Sequence, residues 1–159
     1  MNNKIKIYGA GSIGNHLTFS SILLKNHVEV IDNDLSALKR MKEKIYPSRY
    51  KVWNNNIKLT ELENDNDFSF DYYFIGTPPI SRVNILKKIN KAKIRPKAIL
   101  IEKPISVANK NNISDLKKIL KKLVSKNIKI YTGYNHSVST SFKYFLNEIR
   151  KRKKNKILS

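Results

Sequence analysis

Residues 9–14 read Gly-Ala-Gly-Ser-Ile-Gly, and Asp32 follows 18 positions after the last of these glycines. Three of the chain's five glycines fall in this bend, directly behind the apolar run "KIKIY". Such a bend can wrap a phosphate. Gly9 would make a tight turn, Gly11 would let backbone approach a pyrophosphate, and Gly14 would let a helix pack close to the preceding strand. Ser12 and Ile13 would open that helix, whose free N–H groups and partial positive charge suit phosphate oxygens. A carboxylate closing the next strand, about 20 residues on, accepts ribose hydroxyls. Asp32 stands at that distance, and the helix cap it could otherwise supply falls better to Asp34. A carboxylate here repels a 2′-phosphate, so the pattern favours NAD over NADP. A lone G-x-G-x-x-G is weak; its place between a strand and a helix is what strengthens it.

The elements that must position these residues alternate along the chain. Strands are expected at 4–9, 27–32, 50–53 ("YKVW"), 71–76, 97–102 and 127–133. Helices are expected from Ile13 to Leu24 with the apolar Ile13, Leu17 and Leu24 on one face, and from Asp34 to about Ile45, stopping before Pro47. Two more are expected at Ser81–Lys91 and Ser114–Lys126, and a last one begins near Ser139. "NNNIKLTELENDND" reads as a polar connection with one helical turn. Strands alternating with helices, each strand apolar on consecutive residues, imply a doubly wound α/β fold: a Rossmann-type parallel sheet of about six strands with helices on both faces. Ligands bind such a sheet outside the carboxyl ends of its strands. There stand "FIGTPP" (74–79), "LIEKPIS" (100–106) and "YTGYNHS" (131–137).

Bulk properties narrow the partners. At 159 residues the chain has the size of one ordinary domain. It has no cysteine, which excludes disulfides and thiolate metal sites. No run approaches the roughly 18 apolar residues of a membrane span, and the first residues enter a strand at once, so a cytoplasmic location without a signal peptide is expected. The net charge is +20, from 32 basic and 12 acidic residues. Lysine dominates over arginine, the usual reader of phosphates and bases, and most lysines fall on polar helix faces. Weak, salt-sensitive adhesion to polyanions is expected, with no specific nucleic-acid site and no membrane partner.

Gly9–Gly14, Asp32, Gly76-Thr77-Pro78 and Glu102-Lys103-Pro104 together resemble the Gfo/Idh/MocA family of oxidoreductases, in order and spacing over roughly residues 4–150. Glu-Lys-Pro after the fifth strand is the most specific element, and "GYNH" (133–136) is similar to the subgroup acting on sugars or nucleotide sugars. The resemblance implies that Thr77 and Pro78 line the nicotinamide side of an NAD groove, with Glu102 and Lys103 beside it. It implies a catalytic role for Lys103, aiding proton transfer at a substrate hydroxyl, with the Lys103–Pro104 bond cis. A lysine suits this step because its ammonium also stabilises negative charge developing on oxygen.

The chain departs from the family at three places. Arg82 stands where a histidine is frequent, five residues after Thr77, and Ser137 stands where an arginine follows Asn135-His136. His136 could contact cofactor or substrate, whereas His16 and His27 read as surface positions. Family members continue into a second α/β domain that holds the substrate. Residues 1–138 are therefore expected to form the dinucleotide-binding domain, and 139–159 a helix and basic tail opening an absent second domain. Two readings stay open: a truncated sugar dehydrogenase inactive alone, or a non-catalytic nucleotide-binding module or regulatory subunit. Self-association, or a separate chain carrying the second domain, is the expected partnership.

Overall fold

The computed structural model describes residues 2–133, together with residue 147. The expectations for Tyr134 to Ser137, the helix near Ser139 and the basic tail lie outside the described residues. Six parallel strands form one sheet in the order β3-β2-β1-β4-β5-β6: β1 Lys4–Tyr8, β2 His27–Asp32, β3 Ile57–Glu61, β4 Tyr72–Ile75, β5 Ala98–Ile101 and β6 Lys129–Thr132. This is the expected doubly wound sheet. Its order reverses between β1 and β4, which opens a crevice at their carboxyl ends.

Two apolar clusters cover the two faces. Ile5, Ile7, Val28 and Val30 pack with Ala37, Leu38, Met41 and Tyr46 on one side. Tyr8, Ile31, Tyr73 and Ile75 pack with Val83, Leu86, Ile89, Leu116 and Leu123 on the other. The second cluster lies under α4 (Pro79–Asn90) and α5 (Lys110–Ser125), both supplying apolar residues at helical spacing. α5 starts four residues earlier than expected because the side chain of Asn109 accepts from the N–H groups of Asn111 and Asn112. Among the described residues no helix is long and apolar enough to cross a membrane.

α1 (Ser12–Leu23) buries Gly14, Asn15, Thr18 and Ser21. The expected apolar face is not the buried one: Ile13 is 39% and Leu24 75% exposed. The reason is distance. A Cβ on Gly14 would stand 1.8 Å from the Gly9 carbonyl oxygen, so the helix lies too close to β1 for large side chains on that face.

The third strand is also corrected. The helix after Asp34 does not stop at Pro47. It runs through α2 (Leu35–Arg40), a π-turn (Met41–Ile45) and α3 (Tyr46–Tyr50). The π-turn closes with the Tyr46 N–H donating to the Met41 carbonyl. That widened turn accommodates the proline directly after it. The "YKVW" aromatics then pack sideways: Tyr50 stacks on Phe19 at 4.0 Å, and Trp53 meets Tyr46 edge-on at 5.1 Å. The true third strand lies in the segment expected to be a polar connection, where Ile57 and Leu59 face the α2 side while Lys58 and Thr60 reach Glu29.

No α-helix crosses from β3 to β4. A 3₁₀ turn (Leu62–Asn64) and a loop cover the sheet there, bringing Phe68 and Phe70 onto the second face. Under this loop lies a buried ionic cluster. Lys6, fully buried, meets Asp65 at 2.5 Å and Glu29 at 3.1 Å and donates to the Asp67 carbonyl. Tyr8 donates to the other Asp65 oxygen at 2.8 Å. Burial pushes the Tyr8 phenol up, and the Asp65 charge pushes it further.

Candidate functional site

The crevice between β1 and β4 opens into a cleft of about 560 Å³. Its floor is made by Gly9, Gly11, Asp32, Gly76, Thr77 and Pro78, with Ile80, Ser81 and Ile85 of α4 on one wall. Tyr8, Leu62 and Arg40 also line it.

The glycine bend owes its shape to contacts on three sides. Gly9 has φ of +107°, and a Cβ there would press on the Gly76 and Thr77 backbone at 3.2–3.3 Å. Gly9 also donates to the Ile31 carbonyl at 2.7 Å, and Gly76 to the Tyr8 carbonyl at 2.8 Å, so three strand ends are tied together. Gly11, by contrast, has nothing within 4 Å of a Cβ position. The bend is closed beneath Gly14 and open above Gly11, a cradle that fits a diphosphate on the N-terminus of α1. Asn15, fully buried, holds the underside by donating to the Ala10 and Gly11 carbonyls at 3.0 and 2.9 Å.

Asp32 lies in the cleft with its carboxylate already oriented. One oxygen accepts from the Ala10 N–H at 2.7 Å and the other from the Asp34 N–H at 3.0 Å. The same contact fixes the start of the glycine bend relative to the end of β2. Asp34 takes the capping role, accepting from the Ser36 N–H at 2.9 Å, and the Ser36 side chain, helped by this backbone bond, lowers its carboxyl below the usual range.

The remaining residues singled out by sequence are distributed differently. Ser12, Ile13 and Gly14 form the start of α1 outside the cleft lining, and Ser12 Oγ accepts from Arg49 at 3.2 Å. Glu102 is buried, its carboxylate against the Cα of Gly133, where a Cβ would come within 2.4 Å of it. Lys103 is exposed and does not line the cleft; its bond to Pro104 is cis. His16 bonds the Tyr50 hydroxyl at 2.6 Å on the surface, and His27 is exposed at the start of β2.

Sequence reasoning noted Arg82 only as a departure from the family pattern and missed its role. Arg82 is 3% exposed, and its guanidinium donates to the Thr77 carbonyl from Nε and Nη2 at 2.9 and 2.6 Å. Its Nη1 donates to the carbonyls of Glu102 and Pro104. Burial lowers its pKa, with the Glu102 charge opposing that shift. The signal was present: Arg82 lies on the same helical stripe as Leu86 and Ile89, an odd place for a charge.

The sequence matches the family described as "Oxidoreductase family, NAD-binding Rossmann fold" (Gfo/Idh/MocA) over residues 4–134. The chain belongs to the Gfo/Idh/MocA oxidoreductase family. Its domain is thus an NAD-binding one. No curated protein matches it by sequence. Among solved structures it is similar to UDP-N-acetylglucosamine 3-dehydrogenase GnnA from Acidithiobacillus ferrooxidans, with TM-score 0.63 and 12% identity over 93% of this chain and 44% of that one. Quinate dehydrogenase from Corynebacterium glutamicum in complex with NAD gives TM-score 0.53 and 13% identity over 82% and 44%. S. aureus TarJ in complex with NADPH gives 0.53 and 11% over 82% and 36%. At these identities the likeness concerns the fold. The chain spans less than half the length of each of these structures.

Proposed function

We propose that this chain supplies the NAD-holding half of an oxidoreductase acting on a sugar or nucleotide sugar. The observation that carries the reading is the cradle: Gly14 pinned under Gly9, open space over Gly11, and Asp32 aimed into the same cleft. Gly9, Gly11, Ser12, Ile13 and Gly14 would hold the diphosphate through backbone N–H groups at the start of α1. Asp32 would accept the ribose hydroxyls, and its charge would disfavour a 2′-phosphate. Thr77 and Pro78 would border the nicotinamide, with Glu102 and Lys103 at the next strand end. The bound cofactor supplies a hydride acceptor or donor. Lys103 would hold or move the proton at the substrate hydroxyl, a contribution worth about 10² to 10⁴ in rate. The sugar class is supported by the "GYNH" resemblance and by the similar GnnA being a UDP-N-acetylglucosamine 3-dehydrogenase.

Positioning the substrate carbon is the larger part of the barrier, about 7–11 kcal/mol. A second domain, in the same polypeptide or a partner, would supply it, so the described domain alone should turn over little. Fluorescence titration tests the cofactor assignment: NADH is expected to bind at least tenfold tighter than NADPH, and Asp32→Ala to erode that preference. Equal affinities in the unaltered chain would refute the role of Asp32.

The exposure of Lys103 outside the cleft favours a second reading, a non-catalytic nucleotide-binding module or regulatory subunit. NADH formation at 340 nm against a panel of sugars and nucleotide sugars separates the two. Saturable turnover lost in Lys103→Ala supports a complete enzyme, and NAD binding with no turnover, even with a second domain added, supports the module.

A further inference from the structure

We infer that Arg82 is a positioning residue that locks the Thr77-Pro78 corner to the backbone on both sides of Lys103, setting the nicotinamide half of the cleft without touching the adenosine half. This rests on the cofactor reading above. The two corners follow different strands, β4 and β5, and each ends in carbonyls beyond the last strand pairing. A carbonyl buried without a donor costs free energy comparable to a lost hydrogen bond. Three carbonyls, the buried one of Glu102 and the partly covered ones of Thr77 and Pro104, converge on one side chain.

Only a guanidinium matches that arrangement. It carries five donors in one rigid plane, so it can bond both corners at once, whereas an ammonium is a tetrahedral point donor and an imidazole has two nitrogens. The carbonyls on either side of Lys103 are both turned toward Arg82. The Lys103 backbone is therefore held at both ends by a group that also holds the residue before Pro78. The adenosine end of the cleft, with Asp32 and Leu62, has no bond to Arg82. Arg82 has no salt bridge among the described residues; Glu102 favours its charged form only from beyond that range. Its hydrogen bonds are thus spent on backbone placement.

The test uses ADP-ribose, which lacks the nicotinamide, beside NADH, on the full chain by calorimetric titration. In Arg82→Gln and Arg82→Lys, ADP-ribose affinity should stay within twofold of the unaltered chain. The ratio of NADH to ADP-ribose affinity should fall at least tenfold in Arg82→Gln and less in Arg82→Lys. A wild-type ratio in both folded variants would overturn the proposal and leave Arg82 a structural residue. Failure of the unaltered chain to bind ADP-ribose would instead remove the cofactor reading, and this proposal with it. Hydrogen exchange on the unaltered chain covers the case in which both variants unfold. NADH, but not ADP-ribose, should protect residues 76–81 and 102–106 together, and protection of one segment without the other would refute the coupling.

Discussion

Two cations are buried among the described residues, and they are accommodated in opposite ways. Lys6, mid-strand in β1, is surrounded by carboxylates: Asp65 at 2.5 Å and Glu29 at 3.1 Å, with Glu29 in turn held by Lys58 at 2.8 Å. Across β3, β2 and β1 the register lines up Lys58, Glu29 and Lys6, an alternation of charge along one row of the sheet. Arg82 is bonded instead by three backbone carbonyls. The lysine replaces a missing crossover helix, nailing the 62–70 loop to the sheet. The arginine solvates the ends of two strands beside the cleft. A buried charge balanced by carboxylates organises packing; one balanced by carbonyl dipoles organises backbone, and here that backbone borders the proposed site.

Removing either cation should separate these roles. Lys6→Met leaves Asp65 buried without its counter-charge and Glu29 with Lys58 alone, and breaking such a pair from one side costs about 3–5 kcal/mol. Urea unfolding should show that loss, while NADH affinity of the folded fraction stays unchanged. A cost below about 1 kcal/mol would mean that water or rearrangement replaces the ammonium.

Arg82→Gln should be milder in stability, about 1–3 kcal/mol, because Thr77 is half-buried and Pro104 exposed, so water can reach part of what the guanidinium leaves unpaired. Its larger effect should fall on NADH binding. The same urea and titration measurements on both variants give a crossed pattern, and parallel losses in the two would dissolve the distinction.

Acid distinguishes the two environments further. Burial raises the Glu29 carboxyl, but hydrogen bonds from Lys58, Thr60 and Lys6 outweigh it and hold the group below its ordinary value of 4.5. A carboxyl lowered in the folded state contributes stability that is complete above the unfolded value and lost as pH falls through the folded one. Stability should therefore decline as pH falls below about 4.5, the ordinary value for this group, with Glu29→Gln flattening that part of the profile. Arg82 stays charged across this range and contributes no slope. Thermal melts between pH 3 and 7 would check it.

The smallest effect is expected at the surface. Lys87 and Asp115 pair at 2.9 Å between α4 and α5, with both side chains about half exposed. Solvent screening leaves such a pair little to contribute. Asp115→Asn should move the urea midpoint by no more than the error of the measurement, and a clear shift would mean that exposed pairs in this lysine-rich chain matter more than the buried ones suggest.

Five of the six strands were legible from short apolar runs, and so was the glycine bend. β3 was not, because "YKVW" offered more apolar bulk than "IKLTE" and nothing local shows that Tyr50 and Trp53 pack against Phe19 and Tyr46. The buried face of α1 was misread for a related reason. Apolar periodicity marks the face that packs when helix and sheet stand at ordinary distance, and Gly14 removes that distance. At the candidate site, Asp32, Thr77 and Pro78 could be placed at strand ends by counting. Asn15 carried no local mark, since it lies opposite the apolar face expected for α1, and Arg82 only a weak one, a charge on the stripe of Leu86 and Ile89.

What the sequence determined by itself is whatever depends on neighbours along the chain. Alternating apolar runs set the parallel sheet, Asp34 caps its helix two residues ahead, and a glycine bend between strand and helix leaves free N–H groups wherever it is placed. What the tertiary structure alone decided depends on residues far apart. Lys6 and Asp65 are 59 positions apart, and Arg82 and Pro104 are 22 apart. A buried charge is tolerable only when its partners arrive together in space. No local pattern specifies that arrival; the folded sheet does, by bringing one loop over β1 and two strand ends to a single guanidinium.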